Sequence, residues 1–163
     1  MNKFKFPQFA DAFSAELALA DTEATLAASD PSRASTAASI YERLYDSPSA
    51  PLDLRAEAGH KLGLYYADRE GAARAHEIWW PMIEAFVLDD AKASNLGANG
   101  RYWMTRTILK LAALQESQSK PRQARRLYEL ILEKKLPGAL LANEGLARTG
   151  GKPAQPATGD AVR

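Results

Sequence analysis

The stretch Leu62-Gly63-Leu64-Tyr65-Tyr66-Ala67-Asp68-Arg69-Glu70-Gly71-Ala72-Ala73-Arg74-Ala75-His76-Glu77-Ile78-Trp79 decides the fold. Leu62, Tyr65 and Tyr66 recur at helical spacing and continue backwards through Ala58 and Leu54, with no period-two alternation of the kind a strand needs. Gly71 marks a tight turn, and beyond it Ala75 and Trp79 again share one helical face. Two helices joined so closely fold back on each other as a hairpin. Gly63 and Ala75 are small where the partner helix must come near, and Trp79, four residues beyond Ala75, can fill the groove beside them. The same offsets return downstream: Leu111, Ala112 and Gln115 stand for Leu62, Gly63 and Tyr66, and Ala124 and Tyr128 for Ala75 and Trp79. A weaker copy precedes both through Ala37, Tyr41 and Leu44.

The composition points the same way. Of 163 residues, 31 are Ala and 20 Leu, against 2 Val, 5 Ile and 7 Thr, so helix formers dominate and the chain is expected to be all-α. With 46% hydrophobic and 25% charged residues it can bury a sizeable core. Lys plus Arg number 21 against 20 Asp plus Glu, a balance that gives no long-range pull towards nucleic acid or anionic lipid. The absence of cysteine excludes a disulfide framework, thiolate zinc sites, iron–sulfur clusters and cysteine nucleophiles. Pro7, Gln8 and Asp11 interrupt the aromatic start, which is therefore not read as a secretory signal. No run approaches the roughly 18 apolar residues of a membrane span. A soluble, cytoplasmic protein is the expectation.

Prolines and glycines divide the pattern into about seven helices. The first covers about 9–28, the second about 31–45 after Asp30-Pro31, and the third about 52–68 beyond the two prolines of 47–51. The fourth, about 72–88, contains Pro81, whose ring collides with the carbonyl of Glu77, so a kink or an early end near Trp80 is expected. Residues 89–100 read as the longest connection. Helices over about 101–117, 121–135 and 138–148 follow. One helical repeat domain over 1–149 and a flexible tail over 150–163 complete the expected layout.

These residues resemble the tetratricopeptide repeat family, whose pattern runs Trp-x2-Leu-Gly-x2-Tyr, then Ala-x3-Phe, then Pro. Leu62, Gly63, Tyr66 and Ala75 match, and Trp79 replaces Phe, while Gly59 stands where Trp is preferred and Val87 where Pro is. In the second copy Leu111 and Ala124 match, Ala112 is small, Tyr128 is aromatic, and Ile108 and Gln115 depart. The copies are irregularly spaced, with 38 residues from Ala37 to Ala75 and 49 from Leu62 to Leu111, against a family period of about 34. The resemblance implies antiparallel hairpins stacked as a short α-solenoid. A generic helical bundle is the competing arrangement.

Catalytic patterns are thin. His76-Glu77-Ile78-Trp79-Trp80 opens like a zinc-protease motif but lacks the second histidine that would share its helix face. His60, the other histidine, is read on a solvent-facing position as a bystander. No phosphate-binding loop or nucleophile elbow occurs, and Asp89-Asp90 lacks the spaced carboxylates of a calcium loop. Basic residues at Lys120, Arg122, Arg125 and Arg126 interleave with Glu116, Glu129 and Glu133, as on a solvated face rather than a nucleic-acid stripe. No enzyme activity, metal or cofactor is expected.

In the resembling family the first helix of each hairpin lines a concave groove. Carried over residue by residue, that implies a partner-binding surface of Glu57, His60, Leu64 and Asp68 on one helix and Arg106, Leu109, Ala113 and Glu116 on another. Lys61 and Lys110 would lie near its rim. The Lys/Asn set that clamps a terminal carboxylate in some members is not reproduced. The expected role is a non-enzymatic adaptor holding a peptide or partner helix within a bacterial-type assembly. The alternative is a self-associating protein that buries aromatics at Trp79-Trp80 and Tyr102-Trp103 against a second copy. An enzyme with an unrecognised site is a third.

Overall fold

The structure, a computed structural model, describes residues 8–150. The aromatic start before Gln8 and, Gly150 apart, the expected tail lie outside them. Among the described residues all regular structure is helical: α1 (Gln8–Leu26), α2 (Arg33–Asp46), α3 (Leu52–Arg69), α4 (Ala72–Ile83), α5 (Asp90–Ala93), α6 (Ala98–Ser117), α7 (Pro121–Glu133) and α8 (Ala139–Arg148). The expected all-α class is what the chain adopts. The additional element is α5, a single turn within the stretch read as connection. Asp89 starts it by accepting hydrogen bonds from the backbone N–H groups of Ala91 and Lys92 at 3.0 and 3.2 Å.

The helix ends follow local chemistry. Asp30 accepts from the backbone N–H and hydroxyl of Ser32 at 3.2 and 2.6 Å, holding residues 30–33 as a turn, so α2 starts at Arg33 rather than at Pro31. Gly71 ends α3 at φ +93°, where its N–H reaches back to the Tyr66 carbonyl, a conformation that a side chain would oppose. Pro121 stands at the first position of α7, where its missing N–H costs nothing. The helix does not end near Trp80. The helix runs through Pro81 to Ile83 and then widens into a π-helical turn, Glu84–Leu88, in which the N–H of Asp89 bonds the Glu84 carbonyl. Widening rather than ending keeps Phe86 and Val87 buried, both at 1% exposure.

The chain divides into two compact units, one ending at Thr107 and one beginning at Ile108, with the boundary inside α6. In the first, α1 packs on α2, α2 on α3 and α3 on α4, and α1 also touches α3. Leu17, Ile40, Tyr41, Leu44, Leu54 and Leu62 form one core there, with Tyr66 and Ile78 half-buried against it. Ala75 and Trp79 are buried, and Gly63 lies against the Trp79 indole. Gly59, at the position where the repeat pattern prefers Trp, has its space filled from elsewhere. A methyl group there would overlap Met82 Sδ and lie 2.9 Å from Tyr45 Cδ2. In the second unit α7 packs on α8. Leu111, Ala112, Ala124 and Tyr128 are buried, and the Tyr128 ring lies against Gly145 of α8.

Candidate binding cleft

An open cleft of about 470 Å³ lies among α1, α2 and α3. Alanines make up part of its lining: Ala24 of α1, which is exposed, and Ala34 and Ala37 of α2, which are buried. Larger side chains at these positions would fill the hollow. Tyr41 and Tyr65 supply aromatic walls, and Leu64 adds an aliphatic one. Four charged residues line the opening: Asp21, Lys61, Asp68 and Arg69.

The charges fall into two groups. Lys61 Nζ lies 2.8 Å from both oxygens of Asp21 and 2.6 Å from Glu57 Oε1, with only 18% of its side chain exposed. The Tyr41 hydroxyl donates to Asp21 at 2.7 Å. Burial, reinforced by that neighbouring carboxylate, pushes the Tyr41 hydroxyl far above its usual range, so it remains a donor at any ordinary pH. Towards the end of α3, the Arg69 guanidinium stands 4.4 Å from the Tyr65 ring centroid. Asp68 is exposed and makes no hydrogen bond or ion pair with the described residues.

The expected groove residues are thus dispersed. Leu64 and Asp68 line the cleft, and Glu57 stands behind it as the second partner of Lys61. His60, expected to face solvent, is instead buried at 1% exposure, stacked on Trp79 with ring centroids 6.0 Å apart and tilted against Trp103 at 5.3 Å. Its Nδ1 lies 3.0 Å from the Thr107 hydroxyl. That hydroxyl also lies 3.0 Å from the Trp103 carbonyl. His60 is a core residue because it follows Ala56 by four positions and precedes Gly63 by three, on the stripe that both bury. That signal was present in the sequence.

The α6 set does not line this cleft. Arg106 is exposed, donates to the Tyr102 hydroxyl at 2.8 Å and lies over the rings of Tyr102 and Trp103. Leu109 is half-buried and Ala113 exposed. Glu116 is half-buried and accepts from the Tyr128 hydroxyl and from Arg148. The aromatics expected for self-association divide: Tyr102 is 43% exposed and Trp103 half-buried. Trp79 is 1% exposed and fills the hairpin, while Trp80 is half-buried and stacked on His76. Of the basic residues on α7, Arg126 pairs with Glu133 at 2.7 Å and Glu129 at 3.4 Å, and Arg125 donates to the Thr149 carbonyl.

Among the described residues no group of three or more His, Asp or Glu is placed to hold a metal ion, and no helix is long and apolar enough to cross a membrane. Sequence reasoning missed Asp21 and Tyr41 because they come from α1 and α2 whereas the expectation considered α3 and α6, and it missed Tyr65 and Arg69 because on α3 it took only the face of Glu57, His60, Leu64 and Asp68. Fold and cleft together define an all-helical hairpin protein with an open, mostly apolar hollow in its first unit. No known protein family matches the chain, and neither a curated protein nor a solved structure matches it.

Proposed function

We propose that this protein is a non-enzymatic adaptor of tetratricopeptide-repeat type that holds an extended peptide segment in the cleft of α1, α2 and α3, with the cytoplasm as its expected compartment. The observation that carries this is the hollow itself, lined by alanines, two tyrosines and a leucine together with charged groups. A peptide backbone can approach alanines closely, and its side chains can reach the tyrosines. The repeat pattern at Leu62, Gly63, Tyr66, Ala75 and Trp79 supports the same reading. The test is selection of random peptides displayed on phage against the full chain, followed by fluorescence anisotropy. Binders should lose at least about tenfold in affinity when Leu64→Glu places a charge in the cleft wall. Binders indifferent to that change would refute the assignment.

Self-association remains a second reading on different residues. Leu140 and Leu141 of α8 are 73% and 50% exposed, two adjacent leucines in water. Sedimentation equilibrium should then show an oligomer that Leu140→Lys with Leu141→Lys converts to monomer.

A further inference from the structure

We infer that the segment taken by this cleft presents a basic side chain, Lys or Arg, which seats on Asp68 beside Tyr65. This rests on the cleft being a peptide site and adds the chemistry of what enters it.

The first support is charge. Lys61 is surrounded by two carboxylates, Asp21 and Glu57, at 2.6–2.8 Å, so this part-buried group carries an excess negative charge before any ligand arrives. Asp68 adds a third carboxylate with no hydrogen-bond or ion-pair partner among the described residues. Against these three stand two cations, Lys61 and Arg69. The opening itself carries two acids and two bases, and Glu57 behind Lys61 tips the set to a net negative charge. An incoming carboxylate would meet that field, whereas an ammonium or guanidinium would neutralise it.

The second support is the behaviour of the aromatic walls. Both cleft tyrosines already attract the protein's own cations: Lys61 Nζ lies 5.9 Å from the Tyr41 ring centroid and the Arg69 guanidinium 4.4 Å from that of Tyr65. Arg69 is drawn onto its ring rather than onto Asp68, its neighbour in sequence, which leaves that carboxylate available to a guest. A single long basic side chain with its flanking backbone suits a hollow of about 470 Å³ with alanines in its lining.

The test uses the phage-selected peptides and the full chain. Selected sequences should share a Lys or Arg. Replacing that residue by Gln in the peptide should weaken binding about tenfold, and Asp68→Asn in the protein should remove the difference between the two peptides. The preference should shrink as salt is raised. Circular dichroism melts of Asp68→Asn, an exposed position, should match those of the unaltered chain. Peptides that depend on Leu64 but carry no basic residue, or that prefer Glu at that place, would overturn the inference and leave the peptide site standing. Failure to select any cleft-dependent peptide would overturn both.

Discussion

The Trp79 indole lies directly on the backbone of Gly63, and its Nε1 donates to the His60 carbonyl at 3.2 Å. A methyl group on Gly63 would overlap Nε1 and come within 2.6 Å of Cδ1. Gly63→Ala should gain about 1 kcal/mol of helix propensity and lose more than that through displacement of a fully buried ring, where overpacking costs about 1–3 kcal/mol. Because the added methyl meets three atoms of a ring that has no free space, the cost falls in the upper part of that range, about 2–3 kcal/mol, and a net loss of about 1–2 kcal/mol follows. Trp79→Ala should cost about 3–5 kcal/mol by leaving the groove empty. All three tryptophans precede Thr107, so indole fluorescence during urea unfolding reads the first unit. An unchanged midpoint in Gly63→Ala would contradict the packing.

Asp53 reaches from α3 to the start of α6, where its Oδ1 accepts from the Gly97 backbone N–H at 2.8 Å. Gly100 is buried, and a methyl group on it would lie 2.8 Å from Asp53 Cγ and 2.7 Å from Leu96 Cδ2. The carboxylate caps a helix from another element. Asp53→Ala should therefore cost about 1 kcal/mol, in line with other lost caps. Amide hydrogen exchange should show faster exchange at Gly97 and through the first turn of α6. Protection equal to that of the unaltered chain would show that the contact adds nothing.

The fold was legible because its determinants are local. Ala and Leu abundance, Gly71, Pro121 and the Gly63/Ala75/Trp79 spacing act within one helix or one hairpin. What escaped depends on residues distant in sequence. The burial of His60 could have been read from Ala56 and Gly63 on its own helix, but its contacts with Trp103 and Thr107, more than forty positions downstream, could not. The cleft needs Asp21 and Tyr41 as well as Leu64 and Asp68, so no single helix reveals it. At Pro81 sequence reasoning identified the disturbed segment but not its form, since whether a helix ends or widens depends on what Phe86 and Val87 can bury.

Lys61 holds Asp21 and Glu57 together across α1 and α3. Lys61→Met keeps the aliphatic stem and removes the charge, leaving two half-buried carboxylates without their shared cation. The expected loss is about 1–2 kcal/mol, between the small value of exposed pairs and the larger one of buried pairs. Adding Asp21→Asn should recover part of it, because the like charges no longer face each other. A double-mutant cycle read by indole fluorescence measures the coupling. Simple additivity of the two changes would show that the ion pair is not formed in solution.

In the second unit, Glu116 accepts hydrogen bonds from Tyr128 first and Arg148 second, and both hold its carboxyl below the usual range. An unfolded chain binds that proton near pH 4.3, the folded chain only at lower pH, so stability from this group is present above about pH 4.3 and is lost as pH falls further. Tyr128 behaves in the opposite sense: burial, then the Glu116 carboxylate, push its hydroxyl up to about 12. Unfolded tyrosine ionises near pH 10, so this contribution is present below about pH 10 and is lost as pH rises towards the folded value. Glu116→Gln should flatten the acid limb of a plot of urea midpoint against pH. Tyr128→Phe should reduce the alkaline limb without abolishing it, because Tyr41 in the first unit is raised as well. Circular dichroism is the suitable probe, since no tryptophan follows Thr107. An acid limb as steep in Glu116→Gln as in the unaltered chain would mean that other carboxylates govern acid unfolding and that the Glu116, Tyr128 and Arg148 cluster does not.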